Sequence, residues 1–296
     1  MKKFQVFTDS TADLVKADRE AVGLEYVRMS FTIDGKEYPA DLDWSDLSPA
    51  QYYGMMRAGK VSKTSLVTME EFEKRFAPVL EKGEDILYIA CSSKLSGSVN
   101  NARLAAEELL ENYPERRIVA FDSLRSNYAE GMMALRAAKM ASEGKTLDET
   151  VAALEEDKLC YQVHATVGSL EWLKKAGRVK ASTAFFGNLF GVKPIILSDA
   201  KGNNYGYKKV KGRKTSLDEL VSVVATRIKD KENAVVYVEH ADCEADANYV
   251  AENIRAKVAP KEVKISSVGP IIGATVGPDT ITVNFYGEKV TIAGEE

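Results

Sequence analysis

Four serines crowd one short turn of this chain: Ser92, Ser93, Ser96 and Ser98, in Ser92-Ser93-Lys94-Leu95-Ser96-Gly97-Ser98. Hydroxyls at this density, beside the backbone N–H groups of a helix start, suit an anion such as a phosphate or a carboxylate. The bland alternative is helix capping, which serine does well, but capping needs one hydroxyl. Lys63-Thr64-Ser65, which reads as a short polar loop, adds two more hydroxyls. Thr64, Ser65, Ser92, Ser93 and Ser96 together could hold a carboxylate without a full counter-charge.

The elements that must position these groups follow from local pattern. Ile86 to Cys91 reads as a buried strand, and a helix after the serine turn runs to about Asn112. Phe4 to Thr8 is a second strand, ending in Thr8-Asp9-Ser10-Thr11-Ala12-Asp13-Leu14, and Ile118 to Phe121 a third, ending in Asp122-Ser123. Polar residues at successive strand ends are where an open parallel sheet binds its ligand. Asp34-Gly35 is a hairpin turn after the strand Tyr26 to Ile33, and Ser48-Pro49 starts a helix. Thr68-Met69-Glu70-Glu71 and Thr146-Leu147-Asp148-Glu149 are capping boxes, and Pro78 should kink or end the first of those helices early. A long helix spans roughly Asn127 to Ser142.

The texture changes near Lys158. Tyr161 to Val167, Ile195 to Leu197, Tyr205 to Val210, Ala234 to Glu239, Val263 to Val268, Thr280 to Phe285 and Lys289 to Ile292 read as strands. Ser216-Leu217-Asp218-Glu219 caps one helix, another covers about Glu244 to Lys257, and Tyr286-Gly287 reads as a closing hairpin turn. The expectation is an α/β protein, with length for two domains or one large one. Residues 1–158 form a mostly parallel sheet with helices on both faces. Residues 159–296 form a mixed or antiparallel sheet with flanking helices. The chain shows no internal repeat and no low-complexity linker.

Composition narrows the function classes. A formal charge of −4 argues against nucleic acid as the main partner. No apolar run reaches the ~20 residues of a membrane span, so no stable membrane insertion is expected. Met1 to Gln5 lacks the apolar core of a signal peptide and reads as a strand. Three widely spaced cysteines (Cys91, Cys160, Cys243) fit reduced thiols in a cytoplasm, and two histidines are too few for a multi-histidine metal site. No cofactor is expected.

Other segments could carry chemistry. Gly269 to Pro278 reads as a glycine- and proline-shaped loop that lines a pocket or simply turns between strands. Gly177-Arg178-Val179 places an arginine after a helix-stopping glycine, where it contacts an anion or stays solvated. The run from Lys208 to Lys214 is either a solvated turn or a surface for an acidic partner. His240-Ala241-Asp242 could complete a serine-histidine-aspartate set with Ser93, although no Gly-x-Ser-x-Gly elbow is present.

Taken together, these segments resemble the DegV family of bacterial fatty-acid-binding proteins. The landmarks are residues 8–14, Lys63-Thr64-Ser65, the serine turn, Asp122-Ser123, Leu173-Lys174-Lys175-Ala176-Gly177-Arg178-Val179, Lys193-Pro194-Ile195-Ile196, His240-Ala241-Asp242 and Gly269-Pro270-Ile271-Ile272-Gly273. The likeness runs over essentially the whole chain. It implies a single long-chain fatty acid between two α/β domains, with no catalysis by the chain itself. Thr64 and one serine of the Ser92-Ser93 pair, with Ser93 favoured, match the family's carboxylate ligands, and Thr275 would assist. Ser65, Ser96, Gly97, Arg178, Ile272, Gly273 and Ala274 would give pocket wall or polar support. The resemblance also implies delivery to a fatty acid kinase, through a surface that includes Lys209, Lys211 and Arg213.

Several departures stand out, Ala176 and Lys180 around the arginine segment among them. Thr275 occupies the place of a family histidine that helps hold the carboxylate, and Asp279 replaces a glycine. Thr68 stands in for a serine of a Pro-Ser pair. The competing readings are an enzyme, either a hydrolase built on Ser93 and His240 or a small-molecule transferase, and a carrier of an amphiphile with a neutral head.

Overall fold

The computed structural model describes residues 4–180, 185 and 191–294. Met1 to Lys3, part of the expected first strand, lie outside the described residues.

The strands Glu25–Val27, Phe4–Asp9, Asp85–Ala90 and Ile118–Asp122 lie side by side in that order, all parallel. Their side chains alternate between two cores, as strand pleating dictates. Phe7, Ile86 and Tyr88 face the helices Met69–Glu81 and Ser98–Asn112, through Phe72, Phe76, Ala105 and Leu109. Val6, Leu87 and Ile89 face the helix Asn127–Ser142. Thr68 caps Met69–Glu81 through the Glu71 N–H, and Thr146 forms its capping box. Pro78 does not stop its helix, which continues to Glu81 because the buried stripe Phe72, Phe76 and Leu80 holds the last turn in place.

A small antiparallel sheet sits beside the parallel one, ordered Lys36–Pro39, Ser30–Ile33, Lys63–Ser65. The Asp34-Gly35 turn closes its hairpin with both residues at positive φ. The expected strand from Tyr26 to Ile33 is therefore two strands, in different sheets. Lys63–Ser65, expected as a loop, is a strand because Ser30–Ile33 offers it a free edge.

The remaining strands form one mixed seven-stranded sheet, ordered Glu262–Ser267, Val235–His240, Ile281–Tyr286, Tyr161–Thr166, Val192–Ser198, Asn204–Lys211, Val179–Lys180. Sheet membership changes at the single turn Lys158–Cys160. The helices Arg213–Arg227 and Glu244–Lys257 cover one face. The other packs on Asn127–Ser142, which is buried between the two large sheets. Its Ala134, Ala137, Ala138 and Ala141 let both sheets approach it closely, so the two halves share a core.

Three local expectations change. Arg213–Arg227 begins before the expected cap at Ser216, whose hydroxyl instead donates to the Arg213 carbonyl. After Tyr286 the chain is irregular rather than a strand, with Gly287 bridged to Ile228. The segment expected as a loop from Gly269 contains a seven-residue helix, Pro270–Val276, with proline at its first position.

Candidate functional site

A cavity of about 660 Å³ lies beyond the carboxyl ends of the parallel strands. The sheet edge contributes Thr11, Cys91, Ser93 and Ser126. Thr64, Ser65 and Leu66 come from the small sheet and its exit, and Lys94, Leu95, Ser96 and Gly97 from the serine turn. The second half supplies Arg178, Asn204, Ile271, Ile272, Thr275 and Val276, with Met29 opposite. Among the described residues the lining holds two cations, Lys94 and Arg178, and no carboxylate.

The serine turn is held by two acids at the strand ends, the buried Asp9 and the half-buried Asp122. Asp9 accepts from the Tyr88 hydroxyl (2.6 Å) and the Cys91 N–H (3.1 Å). Asp122 accepts from the N–H groups of Ser93 and Leu124, each at 3.1 Å. Three of the four serines then spend their hydroxyls inside the protein. Ser92 is fully buried and donates to the Gly202 carbonyl at 2.7 Å, so it does not line the cavity. Ser98 accepts from the Val67 N–H at 3.1 Å, and Ser96 accepts from the Ser98 N–H at 3.2 Å while also bonding its hydroxyl. The helix cap itself is Gly97. Ser93 is exposed to the cavity, and its hydroxyl has no partner among the described residues.

Thr64 pairs opposite Phe31 in the small sheet and, like Ser93, turns an uncommitted hydroxyl to the cavity. Thr275 is carried by Pro270–Val276. That helix is anchored by the buried pair Tyr52 and Tyr53, whose hydroxyls donate to the carbonyls of Pro270 (2.8 Å) and Val268 (2.7 Å). Gly273 does not line the cavity. A Cβ there would stand 2.5 Å from the Tyr53 hydroxyl, so glycine lets the helix settle onto that ring.

A second chamber of about 340 Å³ shares Thr64, Arg178 and Thr275 with the first and adds Lys63, Lys175, Trp172 and Ala274. Ala274 thus faces this chamber rather than the main one. Positive charge is concentrated around the shared wall, which favours an anionic group there.

Behind the cavity floor, the Thr11 hydroxyl lies 2.7 Å from Asp9 Oδ1 and 2.6 Å from Glu130 Oε2. One hydroxyl hydrogen cannot serve two ionised carboxylates. Burial and the neighbouring Asp9 hold the Glu130 carboxyl well above its usual range, so Glu130 carries the second proton. Burial likewise pushes the Cys91 thiol well up, so it faces the cavity uncharged.

His240 is half-buried, accepts from the Cys243 N–H at 3.3 Å through Nδ1, and does not line the cavity with Ser93. The basic run is partly committed. Lys208 pairs with Glu219 (2.7 Å), Arg213 with Asp246 (2.7 Å), and the Lys209 ammonium sits 5.7 Å from the Phe185 ring centre. Lys211 is exposed. Asp279, a departure noted in the sequence, sits at positive φ and accepts from Arg57 at 2.8 Å, joining the two halves at the surface.

The family model for DegV, an uncharacterised protein family, matches residues 3–288. The chain belongs to the DegV family. A DegV domain-containing protein of Clostridium perfringens is 37% identical over 97% of this chain and 99% of its own length. A DegV family protein from Thermus thermophilus, reported as binding fatty acid, superposes with a TM-score of 0.86 at 27% identity, covering 97% of this chain and all of its own. A DegV lipid-binding protein from Thermotoga maritima superposes with a TM-score of 0.84 at 26% identity, over 98% of this chain and all of its own. The fold is that of the DegV structures.

The sequence pointed to Thr64, Ser65, Ser93, Ser96, Gly97, Arg178, Ile272 and Thr275, all of which this DegV chain brings to one cavity. It did not single out Met29, Leu66, Lys94, Leu95, Ser126 or Asn204. Lys94 and Leu95 sit inside the serine turn and were within reach of local reasoning. Asn204 is brought in by the contact between the two halves, and Ser126 follows the strand beside the one that leads to Ser93.

Proposed function

We propose that this chain binds one long-chain fatty acid in the 660 Å³ cavity. Its volume falls in the range of roughly 300–1,000 Å³ usual for small-molecule sites. The carboxylate is held by the hydroxyls of Thr64 and Ser93, with Thr275 assisting and Arg178 supplying charge. The acyl chain lies against Met29, Leu66, Leu95, Ile271, Ile272 and Val276. The observation that carries this reading is the pair of uncommitted hydroxyls, Thr64 and Ser93, on a cavity whose described charges are all positive. The reported fatty acid and lipid binding of the Thermus and Thermotoga relatives supports it.

Burying ~15 methylenes contributes roughly 12 kcal/mol gross, offset by ordering and association costs. The tail therefore supplies most of the affinity and the hydroxyls fix the polarity. The chain acts as a carrier that presents the carboxylate to a fatty acid kinase, over the surface that includes Lys209 and Lys211.

Solvent extraction and native mass spectrometry of protein purified from bacteria test the binding. A stoichiometric fatty acid is expected. The delipidated protein should bind a free acid more tightly than its methyl ester. A protein that is empty and has no affinity for either overturns the reading, and equal affinity for both assigns a neutral head instead.

A further inference from the structure

Ser126 is only 3% exposed, lines the main cavity, and its hydroxyl has no hydrogen-bond partner among the described residues. It occupies the N-cap position of the helix Asn127–Ser142, where a serine ordinarily spends its hydroxyl on the first helical N–H groups. Here it makes no such bond. Asn204 lines the same cavity; its side-chain oxygen is 3.4 Å from the Ser198 hydroxyl, and its amide nitrogen is uncommitted among the described residues.

Both groups lie near the head-group turn. Ser93 and Ser126 follow adjacent parallel strands, in register at Ala90 and Asp122, and such strands are about 4.8 Å apart. Ser92 N–H donates to the Arg125 carbonyl at 2.8 Å, next to Ser126. Asn204 comes two residues after Gly202, whose carbonyl takes the Ser92 hydroxyl.

A plain methylene chain passing here strips water from the Ser126 hydroxyl and the Asn204 amide and returns no hydrogen bond. A chain hydroxyl returns a hydrogen bond to the Ser126 hydroxyl, and its oxygen is an acceptor of the kind the Asn204 amide lacks. Resting on the fatty-acid reading above, we infer that the preferred ligand of this cavity is a long-chain acid carrying a hydroxyl group close to its carboxylate. Sites built to bond a substrate hydroxyl discriminate against the analogue that lacks it.

Calorimetric titration of the delipidated full chain with hexadecanoate, 2-hydroxy-, 3-hydroxy- and 16-hydroxyhexadecanoate tests this. At least one of the 2- and 3-hydroxy acids should bind about tenfold more tightly than hexadecanoate. The 16-hydroxy acid should show no gain, and Ser126→Ala should erase the preference while leaving hexadecanoate bound. If hexadecanoate binds as tightly as both near-carboxyl hydroxy acids, or the preference survives in Ser126→Ala, the inference is overturned and the fatty-acid reading stands. If no acid binds, the fatty-acid reading fails and the inference with it.

Discussion

The Ser92 hydroxyl donates to the carbonyl of Gly202 at 2.7 Å, across 110 residues of sequence and from one half of the molecule to the other. Gly202 has φ +89°, and a Cβ there would stand 2.4 Å from Ser92 Oγ. The same oxygen accepts from the Lys94 N–H at 3.2 Å. Ser92 therefore shapes the head-group turn without facing the ligand. Arg125 reinforces the junction, donating to the carbonyls of Tyr161 (2.6 Å) and Asp199 (3.0 Å) from a fully buried position.

Ser92→Ala should cost about 1–3 kcal/mol of stability, because it leaves the buried Gly202 carbonyl unpaired. Gly202→Ala should cost more, combining a left-handed backbone with a steric clash. Chemical denaturation of the two variants checks this. An unchanged midpoint for Gly202→Ala would show that the junction does not hold the halves together.

Thr64→Val and Ser93→Ala should behave differently from Ser92→Ala. Neither hydroxyl bonds another described residue, so stability should move by no more than about 0.5 kcal/mol. Loss of a hydrogen bond to a charged carboxylate should weaken fatty acid binding by about 1.5–3 kcal/mol, read by fluorescent-acid displacement. Wild-type affinity in both variants would remove these residues from the head-group site.

Glu130→Gln should be tolerated within about 1 kcal/mol, since a carboxamide can donate to Thr11 and accept from Thr8 as the protonated acid does. Glu130→Ala should cost about 2–4 kcal/mol through a cavity and unpaired buried groups. Urea titrations of the pair decide the matter. If glutamine is as damaging as alanine, the acid is not protonated in the fold.

Asp13 contributes a pH dependence of its own. Burial, with a smaller push from Asp9, raises its carboxyl from 3.8 to about 8 against the opposing hydrogen bonds from the Gly269 backbone and the Asn127 side chain. The folded chain holds this proton where the unfolded chain has released it. Its contribution to stability is full below pH 3.8 and is lost as pH rises through about 8. Between those limits the slope is at most about 1.4 kcal/mol per pH unit. Asp13→Asn, which the left-handed backbone at φ 51° accommodates, should flatten that slope. Thermal or urea midpoints at pH 5, 6.5 and 8 for both proteins measure it, and parallel profiles would contradict the assignment.

Much of this molecule is written locally. Ile86 to Cys91 is a strand because its apolar residues fill two cores alternately, and the turn after it is hydroxyl-rich whatever it contacts. Capping at Thr68 and Thr146, the Asp34-Gly35 hairpin and the family landmarks are all short-range signals, so the sequence by itself determined the α/β plan and the region of the site. Which hydroxyls remain for a ligand was decided only by the tertiary structure. Ser92 is consumed by a carbonyl 110 residues away and Ser98 by the Val67 amide, whereas Ser93 and Thr64 have no such neighbour among the described residues. Lys63–Ser65 became a strand, and Asn204 entered the cavity, through contacts between distant segments. Hydrogen-bond satisfaction depends on which groups the whole fold brings within about 3 Å, and residue type and spacing do not encode that.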